Sequence, residues 1–384
     1  MSSQEYLHMM NEIQEHILNF LEEEANSDIN FLILEDKLNN LIVSDNHYYF
    51  LSLLRLISKI ANNHHRFPLF FSKIERILLI FKEDIKNYFS NSEIFNVFKS
   101  NKRILLFLIE QQIIIFDEYI VKNITNTNKY INAKYPQYFQ PEIQPFINEK
   151  WFPKYLDEKI KKELPENFYE KRNEGENDSQ ICELIRNDMI TDFVAHVNRN
   201  CVSLNAKIRP SIYETNSFLL KAKKRRDKGL SLIEYAAFFG SIQIFNHLRL
   251  EGVELTPSLW DLAIHGQNAE IIHFLEDNHV EIKDKSYKQV FYESIKCHHN
   301  DIANYFINNF MQNDEENSQD TINQCLKYYN FAFMKNDSIS ESSFYNLCKY
   351  DYCIFVDILL KGKDIDINKK EISIDNYLIM FKLY

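Results

Sequence analysis

Two stretches of the chain share one arrangement of apolar and small residues: residues 232–248 read LIEYAAFFGSIQIFNHL, and residues 259–275 read LWDLAIHGQNAEIIHFL. The pairs that align are Ala236 with Ala263, Ile244 with Ile271, and Leu248 with Leu275. The apolar residues of each stretch recur at three- and four-residue steps on both sides of a short turn, which predicts a helical hairpin. A hairpin of this kind buries its apolar face only against a neighbour, so the repetition predicts an all-α fold.

Three weaker copies extend the pattern. The third has Ser294 at the alanine position, Ile302 at the isoleucine position and Phe306 at the leucine position; the fourth runs through Leu347, Phe355, Val356 and Leu359; an earlier one runs through Ile185, Phe193, Val194 and Val197. Successive aligned positions are 51, 27, 31 and 53 residues apart. Because this spacing is uneven, residues 200–230 and 310–342 are predicted to be insertions or eroded repeats.

These residues resemble the ankyrin repeat, in which a short helix with small residues is followed by a turn glycine, an Ile-Val-x-Leu-Leu helix and a Gly-Ala-Asp-Val-Asn loop. Gly240 lies at the turn position, and Gly252 and Gly362 lie at or beside the loop glycine. Gln267 and His298 depart from the family at the turn, where glycine is usual. The resemblance implies an irregular ankyrin-type α-solenoid.

Residues 179–310, roughly one third of the chain, carry a more specific resemblance. The segments ICELIRND, LIEYAAFFGSIQIF, TPSLWDLAIHG and ESIKCHHNDIANY are similar to a large uncharacterised family of ankyrin-repeat proteins expanded in parasitic protists, of the trichomonad type with an adjacent domain of unknown function. Membership of that family implies an intracellular protein that binds other proteins, and it implies no established activity.

Glycine and proline indicate the domain organisation. The chain has 6 glycines, none before Gly175, whereas average usage would give roughly 27. A P-loop or a Rossmann fingerprint of the usual kind therefore cannot lie in the first 174 residues. Five of the 8 prolines fall within 136–165, and proline removes helix donors. We predict a helical N-terminal domain over 1–130, a Pro-rich connector over 131–178 with a short helix at 155–164, and degenerate repeats over 179–384, clearest over 230–310.

Local patterns predict several features of the N-terminal helices. Ser2 with Glu5, and Ser90 with Glu93, have the spacing of capping boxes. Apolar positions 7, 10, 13, 17 and 21 predict one amphipathic helix, and positions 29, 32, 38 and 41 predict the buried apolar stripe of the next.

Charge and targeting signals indicate the compartment. A net charge of −11 opposes binding of the chain to nucleic acid or anionic lipid. No signal peptide precedes the first helix, the longest apolar run is too short for a bilayer, and the 6 cysteines form no framework. These features predict a cytoplasmic protein, with the nucleus as an alternative, that has reduced thiols and no membrane insertion.

Catalytic and metal-binding motifs are missing from the sequence. There is no HExxH, no C-x2-C and no Gly-x-Ser-x-Gly, although such spacings place ligands or nucleophiles in register. Cys297-His298-His299 is interpreted as a polar turn between the helices of the third repeat. We therefore predict no enzymatic activity, no cofactor, no metal and no small-molecule substrate.

The partner is predicted to be another protein, of unknown identity, bound at the exposed ends of successive repeats. The candidate residues are Phe238, Phe239, His265, Lys296, Tyr350, Glu254, Lys283 and Lys285. A competing interpretation packs Phe238 and Phe239 against the 200–230 insertion or the N-terminal domain. A scaffold or adaptor is the function favoured by this interpretation.

A basic run against the acidic background suggests an alternative function. Its residues are Lys221, Lys223, Lys224, Arg225, Arg226 and Lys228. Such a run is typical of nuclear import signals and of nucleic-acid contacts, which would make the protein a nucleus-targeted or nucleic-acid-associated regulator. A solvated loop before Gly229 explains the same run without a partner, and binding to nucleic acid is not the expectation.

Overall fold

The computed structural model of the chain describes residues 2–23, 28–42, 47–67, 69–126, 135–156, 160–161, 163–216, 218–220, 229–282, 286–311, 318–335 and 339–362. Within these ranges the regular structure is helical, apart from an isolated antiparallel bridge between Lys207 and Ser231. The prediction of an all-α fold is confirmed for this part of the chain.

The helices follow one another with short connections. Their bounds are α1 Ser3–Glu22, α2 Asp28–Ile42, α3 His47–Asn63, α4 Phe70–Ile80, α5 Lys82–Tyr88, α6 Asn91–Phe98, α7 Lys102–Glu110, α8 Glu118–Thr125, α9 Tyr135–Tyr138, α10 Gln140–Ile143, α11 Phe168–Glu174, α12 Gln180–Arg186, α13 Ile190–Arg199, α14 Leu232–Phe239, α15 Ile242–Leu250, α16 Leu259–Gly266, α17 Ala269–Asp277, α18 Lys288–Cys297, α19 Asn300–Phe310, α20 Gln319–Tyr328, α21 Phe344–Lys349 and α22 Cys353–Gly362. Short 3-10 segments occupy Gln144–Phe146, Lys154–Leu156 and Glu341–Ser343.

Both predicted capping boxes are present. The Ser2 hydroxyl accepts a hydrogen bond from the Glu5 amide, and the Glu5 carboxylate accepts one from the Ser2 amide, at the start of α1. Ser90 and Glu93 make the same reciprocal pair at the start of α6. Each box satisfies two amides that have no partner inside the helix.

The chain forms two compact units that differ from the sequential domains predicted above. One unit contains Met1–Ile60, Arg66–Ile77 and Lys285–Tyr384, and the other contains Ala61–His65 and Leu78–Asp284. Boundaries at 130 and 178 are therefore not the boundaries of compact units. The physical reason is that the last helices of the chain share a core with the first ones.

That shared core lies in the first unit and contains buried hydrogen bonds as well as apolar contacts. The Tyr6 ring of α1 meets the Phe355 ring of α22 edge to face, with centroids 5.0 Å apart. The buried side-chain amide of Gln14 donates to Asn330 Oδ1 over 3.2 Å and accepts from the Phe331 amide over 2.8 Å. Because these buried amide groups satisfy one another, the N-terminal helix is held to residues more than three hundred positions away.

The proline-rich segment is part of the second unit rather than a connector. Its aromatic and aliphatic side chains are buried at Tyr135, Tyr138, Phe139, Ile143 and Phe152. Pro141 lies in the first turn of α10, where its missing N–H would have had no partner. Proline therefore starts short helices here. Of the short helix predicted over 155–164, the structure has a 3-10 turn that ends at 156, and residues 157–159 and 162 lie outside the described ranges.

Three hairpins have the same turn geometry. The residue after the first helix is left-handed in each: Gly240 with φ 67° and ψ 22°, Gln267 with φ 49° and ψ 26°, and His298 with φ 59° and ψ 28°. The aligned residues Ala236, Ala263 and Ser294 each lie four positions before it, and all three are fully buried. The hairpins α14–α15, α16–α17 and α18–α19 are thus equivalent in local structure as well as in sequence.

A second left-handed residue follows twelve positions after the turn in two of these hairpins. Gly252 has φ 78° and His279 has φ 48°. The amides that follow them, of Val253 and Val280, donate to the carbonyls of Leu248 and Leu275 over 3.1 and 3.0 Å. This is the hydrogen bond of a Schellman cap, which ends a helix at a left-handed residue. The repeated unit therefore includes the end of the second helix.

Helices α14 and α16 approach each other through two glycines. A Cβ atom added at Gly266 would lie 2.1 Å from the carbonyl oxygen of Ala237, and one at Gly240 would lie 2.7 Å from the carbonyl oxygen of Gly266. The Asn268 side chain donates to the Gly240 carbonyl over 3.1 Å across the same contact. The close approach depends on the absence of side chains at both positions.

Candidate partner-binding surface

The ends of the first helices, where a partner was predicted to dock, are largely covered. Phe238 is 5% exposed, and its ring stacks on that of Phe218 with centroids 5.9 Å apart and planes 14° apart. His265 is 2% exposed, and its ring centroid lies 4.2 Å from that of Phe218. Phe218 belongs to the 200–230 insertion, as the competing interpretation expected. These two side chains are therefore not part of the exposed surface.

The other predicted docking residues differ in how far they are exposed. Phe239 and Tyr350 are half-buried, and Glu254 is exposed. Lys296 is largely buried in an ion pair with Glu293. Burial lowers the pKa of Lys296, but Glu293, Cys297 and Tyr328 together raise it by more, so the net pKa lies above its ordinary value. Lys283, Lys285 and the basic run 221–228 lie outside the described residues.

The second unit contains a buried cluster with residue types that are often catalytic. Arg186 donates to the Asn177 carbonyl over 2.8 Å and to the Tyr235 hydroxyl oxygen over 3.2 Å. Burial raises the pKa of the neighbouring Cys182 thiol to about 11 and raises the pKa of Tyr235 well above 10.0. Neither side chain is ionised near pH 7, and a protonated thiol is a poor nucleophile. The cluster therefore joins α12 to α14 through the hydrogen bond from Arg186 to Tyr235.

A stripe of large apolar side chains is exposed on α2. Ile29 is 71% exposed, Leu32 is 59% exposed and Ile33 is 43% exposed. Residues spaced by three and four lie on one face of a helix, so these three side chains form one patch, which we name the α2 stripe. Phe31, Leu34 and Leu38 lie on the opposite face of α2 and are buried.

The assignment of positions 29, 32 and 38 to one buried face was wrong. Leu32 and Leu38 are six residues apart, which places their side chains about 120° from each other around the helix. The signal that would have revealed the stripe is the run Phe31-Leu32-Ile33-Leu34. A helix with apolar side chains on all sides must pack against other residues on two faces to bury them. In the described residues α2 is packed on one face only.

A cleft about 460 Å³ in volume lies beside the α2 stripe, between α1 and α2. Its lining residues are His16, Asn19, Glu22, Glu23, Asn30 and Ile33. The Asn30 side chain donates to Glu23 Oε2 over 2.9 Å, which joins the two helices at this point. One wall is therefore polar and carries carboxylates, while Ile33 belongs to both the cleft and the stripe.

The segment that supplies the cleft, residues 1–42, is acidic in sequence. Residues 1–42 contain nine Asp or Glu residues and a single Lys or Arg, Lys37. The Lys37 ammonium lies 3.6 Å from a carboxylate oxygen of Glu12. Burial lowers the pKa of His16, and Lys37 lowers it further against the opposing effect of Glu12 and Glu15. His16 is consequently neutral near pH 7, and it does not offset the negative charge of the cleft.

The buried Lys73 of α4 stabilises the C-terminal end of α1, which forms one wall of the cleft. It is 2% exposed, and its ammonium donates to the carbonyls of Phe20 over 2.9 Å, of Leu21 over 3.4 Å and of Glu23. Carbonyls at the end of a helix have no partner within it, so a cation stabilises them and the helix dipole together. Burial lowers the pKa of Lys73, and the Glu23 carboxylate opposes this. The C-terminal turn of α1 is thereby fixed next to the cleft.

Comparison of the chain with models of known protein families, with curated proteins and with solved structures gives no match. The resemblance to ankyrin repeats therefore rests on the motifs quoted above and on the geometry of the hairpins. Among the described helices, none combines the length and the apolar character needed to cross a membrane.

Proposed function

We propose that this protein is a non-enzymatic scaffold or adaptor that binds another protein, and that the α2 stripe is part of the binding surface. The observation that carries this proposal is the exposure of three large aliphatic side chains on one helical face. Contiguous apolar surface of this kind marks interaction sites on soluble proteins. Single exposed residues such as Leu250 are ordinary and need no partner.

An ankyrin-type origin of the C-terminal half is part of the proposal. Its support is the recurrence of a buried small residue, a left-handed turn residue and a capped second helix at the same offsets in successive hairpins. Repeats of this class present surfaces to other proteins. The protein would act in the cytoplasm, with the nucleus as the alternative compartment.

The absence of catalysis is likewise proposed. Its support is that the buried Cys182 thiol and Tyr235 phenol both stay protonated near pH 7. A nucleic-acid role would depend on the basic run 221–228. The acidic cleft between α1 and α2 opposes phosphate binding at that surface.

The test is site-specific photocrosslinking in the cells that produce the protein. A photoreactive amino acid is placed at Leu32 in one variant and at Leu250 in a matched variant, because both are exposed leucines on helices. We expect Leu32, and not Leu250, to crosslink a discrete partner. Burying the exposed part of one leucine stabilises a complex by roughly 1–2 kcal/mol, so Leu32→Ser should weaken binding of the partner identified by crosslinking about tenfold.

Equal crosslinking from the two positions, or none from Leu32, contradicts the proposal. Both leucines are exposed, so each serine variant should keep its free energy of unfolding within about 0.5 kcal/mol. Far-UV circular dichroism of the two variants checks this, and it separates loss of a binding surface from loss of the fold.

A further inference from the structure

We infer that residues 377–384 cover the α2 stripe of the same molecule until a partner displaces them. The inference rests on the proposed function, because it assigns an internal competitor to the surface at which the partner would bind. Residues 363–384 follow α22 and lie outside the described residues. What carries the inference is their sequence, together with the described helices of the first unit.

The sequence after α22 contains a strongly apolar run. Residues 377–384 read YLIMFKLY, in which Lys382 is the one residue that is neither aliphatic nor aromatic. Residues 363–376, which precede the run, read KDIDINKKEISIDN and include seven charged residues. Moving apolar side chains out of water is favourable. The run is therefore stabilised wherever it meets a second apolar surface that is open to solvent.

The α2 stripe is such a surface, and it belongs to the unit that also contains α22. Its three large aliphatic side chains lie together on one helical face. Elsewhere in the described part of this unit, exposed large apolar side chains occur singly, at Leu69, Phe310 and Tyr345. The stripe is thus the place in the first unit where one segment can bury several apolar side chains at once.

The connecting chain is long enough to reach the stripe. Phe355 of α22 and Tyr6 of α1 are in ring contact, with centroids 5.0 Å apart, and Asn19 of α1 lines the cleft beside the stripe. The rise of the two helices, this ring contact and one interhelical spacing place the stripe at most about 55 Å from Gly362. An extended chain from Gly362 to Phe381 spans about 60 Å.

The tether to α22 favours the segment of the same molecule over other occupants. A tethered segment acts at an effective concentration of roughly 1 mM. With an intrinsic dissociation constant of about 0.1 mM, it covers the stripe in about nine of ten molecules and weakens binding of a competing partner about tenfold. A second copy of the chain at about 1 µM offers the same segment at a roughly thousandfold lower concentration.

The first experiment is photocrosslinking of the purified full chain. A photoreactive amino acid is placed at Leu32 or, in a matched protein, at Leu250, because both are exposed leucines on helices. Mass spectrometry of the digested monomer identifies the crosslinked peptides. We expect Leu32, and not Leu250, to crosslink to residues 377–384.

Two double variants test which residues form the contact. Leu378→Ser with Phe381→Ser removes two large side chains from the apolar run and should lower the yield of this crosslink at least fivefold. Ile372→Ser with Ile374→Ser is the matched control, because it removes two aliphatic side chains that precede the run, and it should leave the yield unchanged.

Binding of a fluorescent synthetic peptide of residues 374–384 gives a second measurement. By fluorescence anisotropy, it should bind the Leu378→Ser, Phe381→Ser protein about tenfold more tightly than the wild type, whose stripe is already covered. Adding Leu32→Ser to that variant should remove the gain, whereas adding Leu250→Ser should not.

Several outcomes overturn the inference. Crosslinking to residues 377–384 that is no greater from Leu32 than from Leu250 does so, as does equal peptide binding by the wild type and the Leu378→Ser, Phe381→Ser protein. A crosslink that joins two chains, with a yield that rises with protein concentration, makes a second copy the occupant. If Leu32 crosslinks a partner in cells but never residues 377–384 in the purified chain, the inference fails while the scaffold function stands. If Leu32 crosslinks residues 377–384 but neither protein captures a partner in cells, the scaffold function fails while the inference stands.

Discussion

Replacing Gly266 with alanine tests the close contact between α14 and α16. Helix propensity alone predicts that this change stabilises the protein, because alanine is better than glycine inside a helix by up to about 1 kcal/mol. The structure predicts the reverse. The new Cβ would lie 2.1 Å from the Ala237 carbonyl oxygen, whereas ordinary contact begins at 3.4 Å. The obstructing atoms belong to the backbone, so one helix must shift by more than 1 Å.

The magnitude follows from these opposing effects. Forcing an extra methyl group into a packed interior costs about 1–3 kcal/mol, and more where backbone must move. After the gain in propensity is subtracted, Gly266→Ala should lower the free energy of unfolding by about 2 kcal/mol or more. Gly252→Ala is the control: its Cβ meets nothing within 4 Å, and it should lose only the roughly 1 kcal/mol of a left-handed alanine.

Urea denaturation followed by far-UV circular dichroism measures both variants. Gly240→Ala combines a left-handed backbone with a Cβ 2.7 Å from the Gly266 carbonyl oxygen, so it should be at least as destabilised as Gly266→Ala. A Gly266→Ala protein as stable as the wild type, or more stable, would refute the close approach of these helices. A loss no larger than that of Gly252→Ala would refute the argument from backbone obstruction.

Three further predictions use other parts of the structure. Cys201 is exposed and the other five cysteines are buried, so a thiol reagent near pH 8 should modify about one thiol per chain in native protein and all six in denaturant; rapid labelling of a second thiol would be inconsistent with this burial. Ile271→Ala should lower the free energy of unfolding by about 2–5 kcal/mol, because Ile271 is fully buried. The control is Asp277→Ala, which changes an exposed residue and should alter the free energy of unfolding by less than about 0.5 kcal/mol. Similar denaturation midpoints for the two variants would contradict the assigned helix faces. The backbone and hydroxyl of Ser2 lower the pKa of Glu5 below 4.5, so the capping box contributes stability above that pH and loses it as the pH falls through the lowered pKa. The protection of first-turn amides of α1 against hydrogen exchange, relative to their intrinsic exchange rates, should then fall, and Glu5→Gln should abolish this pH dependence.

Glu276 illustrates why the choice of an exposed reference needs coordinates. It lies five residues after the buried Ile271, which helical spacing places on the opposite side of α17, yet its side chain is 14% exposed and its Oε2 lies 3.1 Å from His273 Nδ1. The helical spacing around Ile271 identifies the buried side of α17 correctly. It does not show how far neighbouring turns shield the residues beside that face, so Asp277 is the better control.

The sequence by itself determined the features that arise between residues a few positions apart. The capping boxes join Ser2 to Glu5 and Ser90 to Glu93, and the hairpin turns join each first helix to the second. The equivalence of Ala236, Ala263 and Ser294 also holds in their burial and in their offset from a left-handed residue. These features are readable because their hydrogen bonds and backbone angles are set locally, before any distant segment arrives.

Only the tertiary structure decided which faces of those helices are buried and which segment buries them. Phe238 and His265 are predicted from the sequence to bind a partner, but Phe218 packs on both of them. Leu32 is predicted to be buried, but α2 exposes it to solvent. Gln14 pairs with Asn330 across the length of the chain. An apolar side chain gains similar free energy from any apolar cover, so periodicity shows that a face can be buried, while the segment that buries it is selected by the packing of the entire unit.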